Sequence, residues 1–320
     1  MAVVASISPP LLCMLYLNLF LNLLYIIKLI FCNKWIICIT LMRYLKKNQI
    51  KNFQQYIWSF YKKAGRKFIW RYIDDPYKIV VSEIMLQQTQ TCRVIEKYKN
   101  FIAVFADFKS LASASLLDVL RLWQGLGYNR RGKYLHCIAQ KVVNEFDGQL
   151  PNCPQILEAL PGIGPATASS ICAFAFNSPT VFIETNIRAV FIHHFFQYQE
   201  KVHDKEIFPL IKLTLDTTNP REWYYALMDY GVMLKKRLPN PNKKSKHYTK
   251  QSKFEGSNRQ IRGMILKILI KHNSITKSSL FDFINHEKGR VESVFGQLID
   301  EDFIVEKNGK IFFKNLLQNS

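Results

Sequence analysis

A stretch of nine residues with two glycines, Leu160 to Ala168, constrains the fold of this chain more than any other. It reads LPGIGPATA, follows an apolar run typical of a helix, and leads into a run of small residues typical of another. Glycine lets the backbone turn tightly and approach a partner closely, and amides at a helix N-terminus form a ready site for phosphate. The stretch predicts a helix–hairpin–helix unit, which holds a nucleic-acid backbone without reading its sequence. Two packed helices joined by an ordinary tight turn are the alternative.

The charge of the chain favours a polyanion or an anionic surface as its partner. Among 320 residues, 44 are Lys or Arg and 24 are Asp or Glu, which gives a formal net charge of +20 and a sequence pI near 9.6. The seven cysteines show no paired spacing. This is typical of reduced thiols in a cytoplasmic protein and argues against a disulfide framework or a zinc site. His193 and His194 are adjacent, and neighbours on a helix point about 100° apart, which makes a poor metal site.

The first 41 residues differ in composition from the rest. The run from Leu11 to Phe31 is almost wholly apolar and is long enough to span a bilayer. No basic region precedes it, so it does not match a cleavable signal peptide. A second interpretation is that translation begins at Met42, after which the composition is that of a soluble protein. We favour this second interpretation over a membrane anchor, since nothing downstream requires a membrane.

Three further regions follow. Residues 42–236 carry apolar residues at helical spacing and few strand signals, which predicts an all-α domain. Residues 237–259 are rich in proline, asparagine and lysine and form a basic linker. From residue 260 to residue 320, three helical segments and an Asn308-Gly309 turn between apolar runs predict a small winged-helix-like domain. The expected fold is therefore mostly α.

Two glutamates have contrasting surroundings. Glu83 falls in a strongly apolar helix that carries the polar residues Gln87–Gln90 at its far end. A carboxyl group in apolar surroundings keeps its proton more readily, which suits a general acid. Glu184 follows an apolar run and precedes Thr185 and Asn186, whose side chains would hold it ionised. Such a pair could cleave a glycosidic bond, one carboxyl protonating the leaving group and the other facing the oxocarbenium charge. A satisfied buried Glu83 and a helix-capping Glu184 are the purely structural alternatives.

Other polar residues are candidates for contact with nucleic acid. An enzyme that acts on a base must flip it out of the stack and fill the hole, and Gln87, Gln88 or the ring of Tyr128 would serve as the plug. The helix after Tyr128 begins with basic residues that would bind phosphate. These are Arg130, Arg131 and Lys133. Ordinary polarity at helix ends is the alternative interpretation.

Four separated blocks resemble the endonuclease III superfamily of DNA glycosylases, and within it the MutY-like adenine glycosylases. They are SEIMLQQTQ (82–90), LWQGLGY (122–128), LPGIG (160–164) and MDYG (228–231), and they occur in the family's order at similar separations. The resemblance covers residues 53–233. It implies a two-lobed helix–hairpin–helix glycosylase core that binds double-stranded DNA with a damaged or mismatched base. It also implies a monomer near the nucleoid that uses no small-molecule cofactor.

The resemblance implies catalytic roles for three residues. Glu83 matches the acid that protonates adenine and activates it as a leaving group. Glu184 stands where the family has an essential Asp that steadies the oxocarbenium ion. Asn186 matches a polar partner of that carboxylate.

It likewise implies contacts with the duplex. Gln88, which follows Gln87, matches the residue that inserts near the vacated base. Tyr128 falls in the block that touches the base opposite. Gly162 and Gly164, with Thr167 beside them, match the hairpin that holds phosphate.

The chain departs from the family pattern at four points. The essential Asp is Glu184, one methylene longer, and misplacement by about 1 Å can cost on the order of a hundredfold in rate. Members with lyase activity carry a Lys where this chain has Ala166, so no amine stands there to form a Schiff base. Residues 235–259 hold no cysteine, so the usual four-cysteine iron–sulfur loop is missing, and the basic linker would bind phosphate in its place. The winged-helix-like tail stands where the family has a Nudix-like domain.

We therefore expect a monofunctional glycosylase that hydrolyses adenine opposite oxidised guanine or guanine. A related enzyme for thymine or uracil opposite guanine is the first alternative, favoured by Glu184 and the different tail. A DNA-binding protein with little catalysis is the second. Protonation by Glu83 favours a purine leaving group, because purine N7 can accept the proton.

Overall fold

The computed structural model describes residues 47–314 of the chain. The apolar segment 1–41 lies outside the described residues, and so does the choice between a membrane anchor and a later start. Within residues 47–314, we find no helix with both the length and the apolar character needed to cross a membrane.

Helices dominate the described chain, which confirms the mostly-α expectation. In chain order the first eleven are α1 (Lys47–Ala64), α2 (Pro76–Leu86), α3 (Thr91–Val104), α4 (Phe108–Ser113), α5 (Leu116–Trp123), α6 (Arg130–Glu145), α7 (Pro154–Glu158), α8 (Pro165–Phe176), α9 (Thr185–Phe195), α10 (Asp204–Thr214) and α11 (Pro220–Arg237). Short 3-10 turns lie at Ile69–Arg71, before α2, and at Pro241–Lys244, after α11.

Local sequence signals set where these helices begin and end. Helices α2, α7, α8 and α11 each start with a proline, whose fixed φ suits the first helical position and whose missing N–H costs nothing there. Asp75 caps α2 by accepting hydrogen bonds from the amides of Tyr77 and Lys78. Helix α2 ends at Leu86, earlier than expected, because Gln88 adopts φ +53°. The polar Gln87–Gln90 segment is therefore a turn and not the end of the helix.

One large apolar core holds α1–α11 together around buried aromatic side chains. Trp123, Trp223, Tyr224 and Phe174 are among the largest side chains in this core, and all are almost completely buried. Helix α2 packs on α8, and α9 packs on α11. These two pairings carry Glu83 and Glu184 toward each other from different parts of the chain.

The C-terminal unit has the order of elements of a winged helix. It consists of α12 (Asn258–His272), β1 (Ser274–Thr276), α13 (Lys277–Asp282), α14 (Lys288–Asp300), β2 (Ile304–Lys307) and β3 (Lys310–Phe313). The expected hairpin is β2–β3, and β1 adds an unexpected third strand, so that the antiparallel sheet runs β1-β3-β2. Leu116, Leu117 and Leu120 of α5 belong to the core of this unit. The C-terminal unit therefore docks on the helical core through α5.

Candidate active site and nucleic-acid interface

The two-glycine stretch forms an exposed turn between α7 and α8. Gly162 has φ +76°, and a Cβ atom there would lie 2.4 Å from the ring of Tyr134. Glycine is thus required at this position by both backbone conformation and space. Gly164 precedes α8, and a Cβ there would meet nothing within 4 Å. The first amides of α8 have no intrahelical partner, so the turn offers them to an anion beside an open surface.

Glu83 lies on α2, partly buried, and its carboxylate meets the hairpin helix. The hydroxyl of Ser170 on α8 donates a 2.6 Å hydrogen bond to Glu83 Oε2. Burial raises the pKa of Glu83 to about 7, the nearby charge of Glu184 adds to the rise, and the Ser170 bond and Arg71 oppose it. A carboxyl with this pKa is present in both protonation states near neutral pH, as a general acid requires.

Ser170 can satisfy Glu83 in either protonation state. Its oxygen also lies 3.0 Å from the carbonyl oxygen of Thr167, a second acceptor. When Glu83 is ionised, Ser170 donates to the carboxylate. When Glu83 is protonated, the acid can donate to Ser170, which turns its own proton to Thr167. The hydroxyl therefore holds the acid in place through a proton transfer.

Three hydrogen-bond donors hold the Glu184 carboxylate at the start of α9. Its Oε1 accepts hydrogen bonds from the amides of Asn186 at 2.8 Å and Ile187 at 2.9 Å, and its Oε2 accepts one from Asn186 Nδ2 at 2.9 Å. All three contacts are made by donors near the N-terminus of α9, where backbone amides lack intrahelical partners. Thr185 is exposed and does not contribute the contact expected of it. Glu184 therefore caps α9, as the structural alternative predicts, and its charge also acts on Glu83.

The packing of α11 against α9 brings a second glycine close to this carboxylate. A Cβ at Gly231 would lie 2.3 Å from the carbonyl oxygen of Asn186, so only glycine allows the approach. Gly231 is the last residue of the MDYG block, but the sequence alone assigns it no role. The close approach fixes the backbone that carries Asn186 and, through it, Glu184.

A buried ion pair behind Glu83 was missed by the sequence reasoning. Arg71 and Asp229 are linked by two hydrogen bonds of 2.8 Å, and Arg66 donates to Asp229 from its backbone amide and its side chain. The Arg71 guanidinium also lies 4.4 Å from the ring centre of Tyr225. Because Asp229 balances the Arg71 charge, Arg71 lowers the pKa of Glu83 only slightly against the effect of burial. The MDYG block contains Asp229, which is the sequence signal that could have found this pair.

Two turns at the end of α2 and before α6 lie side by side and present the residues expected to enter the duplex. Gln88 is exposed with φ +53°, and Tyr128 has φ +49°. A left-handed conformation is uncommon for such residues and marks a turn held by its surroundings. Gln87 Nε2 donates to Thr167 Oγ1 at 3.3 Å, which links the first turn to the hairpin helix. The structure thus brings Gln87 and Thr167 together, and the neighbouring Gln88 is exposed.

Arg131 is expected to bind DNA phosphate, but the structure places its side chain in the interior. Its side chain is buried and holds the two turns together by donating to carbonyl oxygens on both sides. The acceptors in the first turn are the carbonyls of Ile84, Met85 and Gln87 and the hydroxyl of Thr89, and those in the second turn are the carbonyls of Leu126 and Gly127. The last carbonyls of a helix lack intrahelical partners and attract a cation. The carbonyl groups at the end of α2 therefore bind the Arg131 side chain in the interior.

The C-terminal unit uses the other two basic residues. Lys133 is partly buried, donates to the carbonyl of Glu301 and lies 5.2 Å from the ring centre of Phe303, and its contact with phosphate stays a prediction. Arg130 forms an ion pair with the Glu301 carboxylate, although half of its side chain stays exposed. Their charges hold the C-terminal unit against α6, which sequence reasoning did not foresee.

The linker also covers Tyr128. Arg259 donates a 2.6 Å hydrogen bond to the Tyr128 hydroxyl, and Gln251 donates to the same oxygen. The linker and the first turn of α12 therefore hold the hydroxyl end of this ring. Contact of Tyr128 with DNA stays a prediction.

The segment that follows α11 contains no cysteine and makes its own contacts with the core. Asn242 is buried and donates from Nδ2 to the carbonyl of Thr185 at 2.9 Å, next to Glu184. Val202 pairs with the segment through the carbonyl of Lys244 and the amide of Lys246, both at 2.8 Å. Within residues 47–314, no three His, Cys, Asp or Glu side chains are grouped to hold a metal ion. Residues 235–259 hold no cysteine, so this segment offers no thiolate ligand to an iron–sulfur cluster.

Comparison with known proteins defines the class. Residues 81–212 match the family described as HhH-GPD superfamily base excision DNA repair protein. A solved thermostable thymine-DNA glycosylase shares the fold, with a TM-score of 0.56 at 22% identity over 62% of this chain and 94% of that chain.

The curated relatives similar to this chain include adenine DNA glycosylases from bacteria and mammals. The chain is 35% identical over 187 residues to the adenine DNA glycosylase of Buchnera aphidicola subsp. Baizongia pistaciae, which covers 57% of this chain and 52% of the relative. It is 31% identical over 196 residues to human adenine DNA glycosylase, which covers 58% of this chain and 36% of the relative. The chain spans about half the length of the Buchnera relatives it matches. The resemblance to MutY-like adenine glycosylases is confirmed.

Proposed function

We propose that this chain is a DNA N-glycosylase that hydrolyses the glycosidic bond of adenine mispaired with oxidised guanine or guanine. The observation that supports this most is a pair of glutamates whose charges interact and whose surroundings differ. Glu83 has a pKa of about 7, whereas Glu184 is held by three donors. Glu83 and Glu184 then divide the two tasks of glycosidic cleavage.

The proposed reaction uses these two groups in turn. Protonated Glu83 donates to N7 of the flipped adenine, which makes the purine a neutral leaving group as the bond between N9 and C1′ breaks. The Glu184 carboxylate faces the positive charge that develops on the sugar. Water adds to C1′ and returns a proton to Glu83, so the products are free adenine and an abasic site.

The same proposal includes a monofunctional enzyme that needs no metal cluster. Ala166 supplies no amine for a Schiff base at the hairpin. The linker contacts through Asn242 would support the Glu184 segment in place of a cluster. We further propose that the protein acts as a monomer on double-stranded DNA in the cytoplasm, at the nucleoid.

The test is a set of duplexes that differ only in one pair. The full chain is incubated with A·oxidised-G, A·G, T·G and U·G duplexes, and abasic sites are then cleaved with alkali. Cleavage of the adenine strands alone is the expected result. Cleavage of only the T or U strands would show that the enzyme removes thymine or uracil opposite guanine. Salt-sensitive binding without cleavage would show that the chain binds DNA without catalysis. Glu83→Gln serves as the control for contaminating glycosylases, since it should give no product.

A further inference from the structure

Lys235 is a partly buried lysine whose ammonium has no hydrogen bond or ion pair within the part of the chain that the structure describes. It lies in the last turn of α11, one helical turn after Gly231. Residues four apart share a helix face, and Gly231 lies against the backbone of Asn186. Lys235 is therefore on the face of α11 that meets the start of α9.

Asn186 has a buried acceptor that lacks a donor, whereas Lys235 has a donor that lacks an acceptor. Its Nδ2 donates to Glu184 Oε2, but its Oδ1 is buried without a hydrogen-bond partner. A buried acceptor left unpaired is unfavourable and invites a donor. An unpaired buried acceptor and an unpaired ammonium thus lie behind the same carboxylate.

Electrostatics links Lys235 to that carboxylate. Burial lowers the pKa of Lys235, the charge of Glu184 raises it, and Arg66 lowers it. The Arg66 charge is itself paired with Asp229. The charge of Glu184 also raises the pKa of Glu83. The charges of Lys235 and Glu184 therefore interact, although the two described side chains form no ion pair.

We propose that Lys235 is a positioning residue for Glu184: its ammonium donates to Asn186 Oδ1, while Asn186 Nδ2 donates to the Glu184 carboxylate. This inference rests on the proposed function for its kinetic consequence, but the chain of contacts itself does not. The four-carbon stem of lysine has enough freedom to close the contact. A cation behind the amide would hold Glu184 ionised and oriented toward the sugar while leaving the cleft side of the carboxylate open.

The kinetic test compares three variants in single-turnover base release and in DNA binding. Lys235→Met removes the charge and should lower the rate of base release about tenfold. The low-pH limb of its rate profile should move upward by about one pH unit. Its Kd for the duplex should stay within about twofold of the parent value. Lys235→Arg should restore most of the rate. Lys236→Met, at the exposed neighbouring position, is the matched control and should behave like the parent. Weaker DNA binding with an unchanged rate in Lys235→Met would overturn the proposal in favour of a phosphate contact.

A second readout is independent of activity. The Lys235 side chain is followed by NMR with labelled lysine, and its titration is compared in the parent, Glu184→Gln and Glu158→Gln proteins. Loss of the Glu184 charge should lower the pKa of Lys235 further, whereas the exposed Glu158 should have no effect. An unchanged Lys235 titration in Glu184→Gln would overturn the coupling. If the parent released no base from any duplex, the proposed function would fail while this titration still decided the inference.

Discussion

The Ser170 hydroxyl and the Glu83 carboxylate are joined by a 2.6 Å hydrogen bond between the hairpin helix α8 and the acid helix α2. The element expected to hold the DNA backbone is thereby connected directly to the residue expected to protonate the base. A shift of α8 on binding DNA would change the length of this hydrogen bond and so act directly on the Glu83 carboxylate. This relationship motivates the first prediction.

Ser170→Ala should move the alkaline limb of the rate profile to higher pH by about one unit. The Ser170 bond lowers the pKa of Glu83, so its loss lets the acid keep its proton to higher pH. The rate at low pH should fall because the acid is less well oriented. Single-turnover base release measured across pH gives both quantities. Ser169→Ala is the matched control, and an equal shift in that variant would show that the effect is not specific to Ser170.

Glu83→Gln should stabilise the protein at high pH and not at low pH. Because the folded pKa of Glu83 is about 7 against 4.5 for the free group, the folded state binds more protons between these values, and stability falls as pH rises through that window. The loss above pH 7 is at most about 3 kcal/mol. Urea unfolding at acidic and alkaline pH measures it, with the exposed Glu158→Gln as control. An equal effect of Glu83→Gln at both pH values would contradict the raised pKa.

Glu184→Asp should retain or raise the rate of base release. Asp is a preferred helix cap, and it restores the shorter carboxylate that the family resemblance implies at this position. Glu184→Gln is the matched control: it can still accept hydrogen bonds at the cap but lacks the charge, so its rate should fall by about a hundredfold or more. A large fall in Glu184→Asp with normal folding would show that this carboxylate is not placed as we describe.

Arg131→Met should destabilise the protein by about 3 kcal/mol, because it leaves buried carbonyls at the end of α2 without a donor. Arg130→Met removes the same charge from an exposed ion pair and should cost no more than about 1 kcal/mol. Urea unfolding of both variants checks the difference. Similar losses in the two variants would contradict the assignment of Arg131 as the link between the turns.

Much of the fold could be predicted from sequence because its signals are local. The glycines of the hairpin, the Asn308-Gly309 turn and the apolar spacing of the helices depend on neighbouring residues. The ends of elements were less predictable, since the left-handed conformation of Gln88 is imposed by the adjacent turn. The strand β1 and its pairing with β3 depend on a partner distant in sequence.

The candidate site shows the same division. Glu83 and Glu184 could be singled out because each has a distinctive local environment, but the proximity that couples their charges is tertiary. Arg131 looked like a surface cation in a basic helix, and only the three-dimensional position of the α2 terminus explains its burial. The sequence around Arg71 gave no signal of its role, because its partner Asp229 lies 158 residues further along the chain.

The most direct test of the central claim is the rate of adenine release from an A·oxidised-G duplex under single-turnover conditions, from about pH 5 to about pH 9. We predict a rate that falls as pH rises through about 7, following the deprotonation of Glu83. In Glu83→Gln the rate should drop by about a hundredfold or more. A parent rate that does not change across this range, or a Glu83→Gln variant as fast as the parent, would contradict the assignment of Glu83 as the general acid.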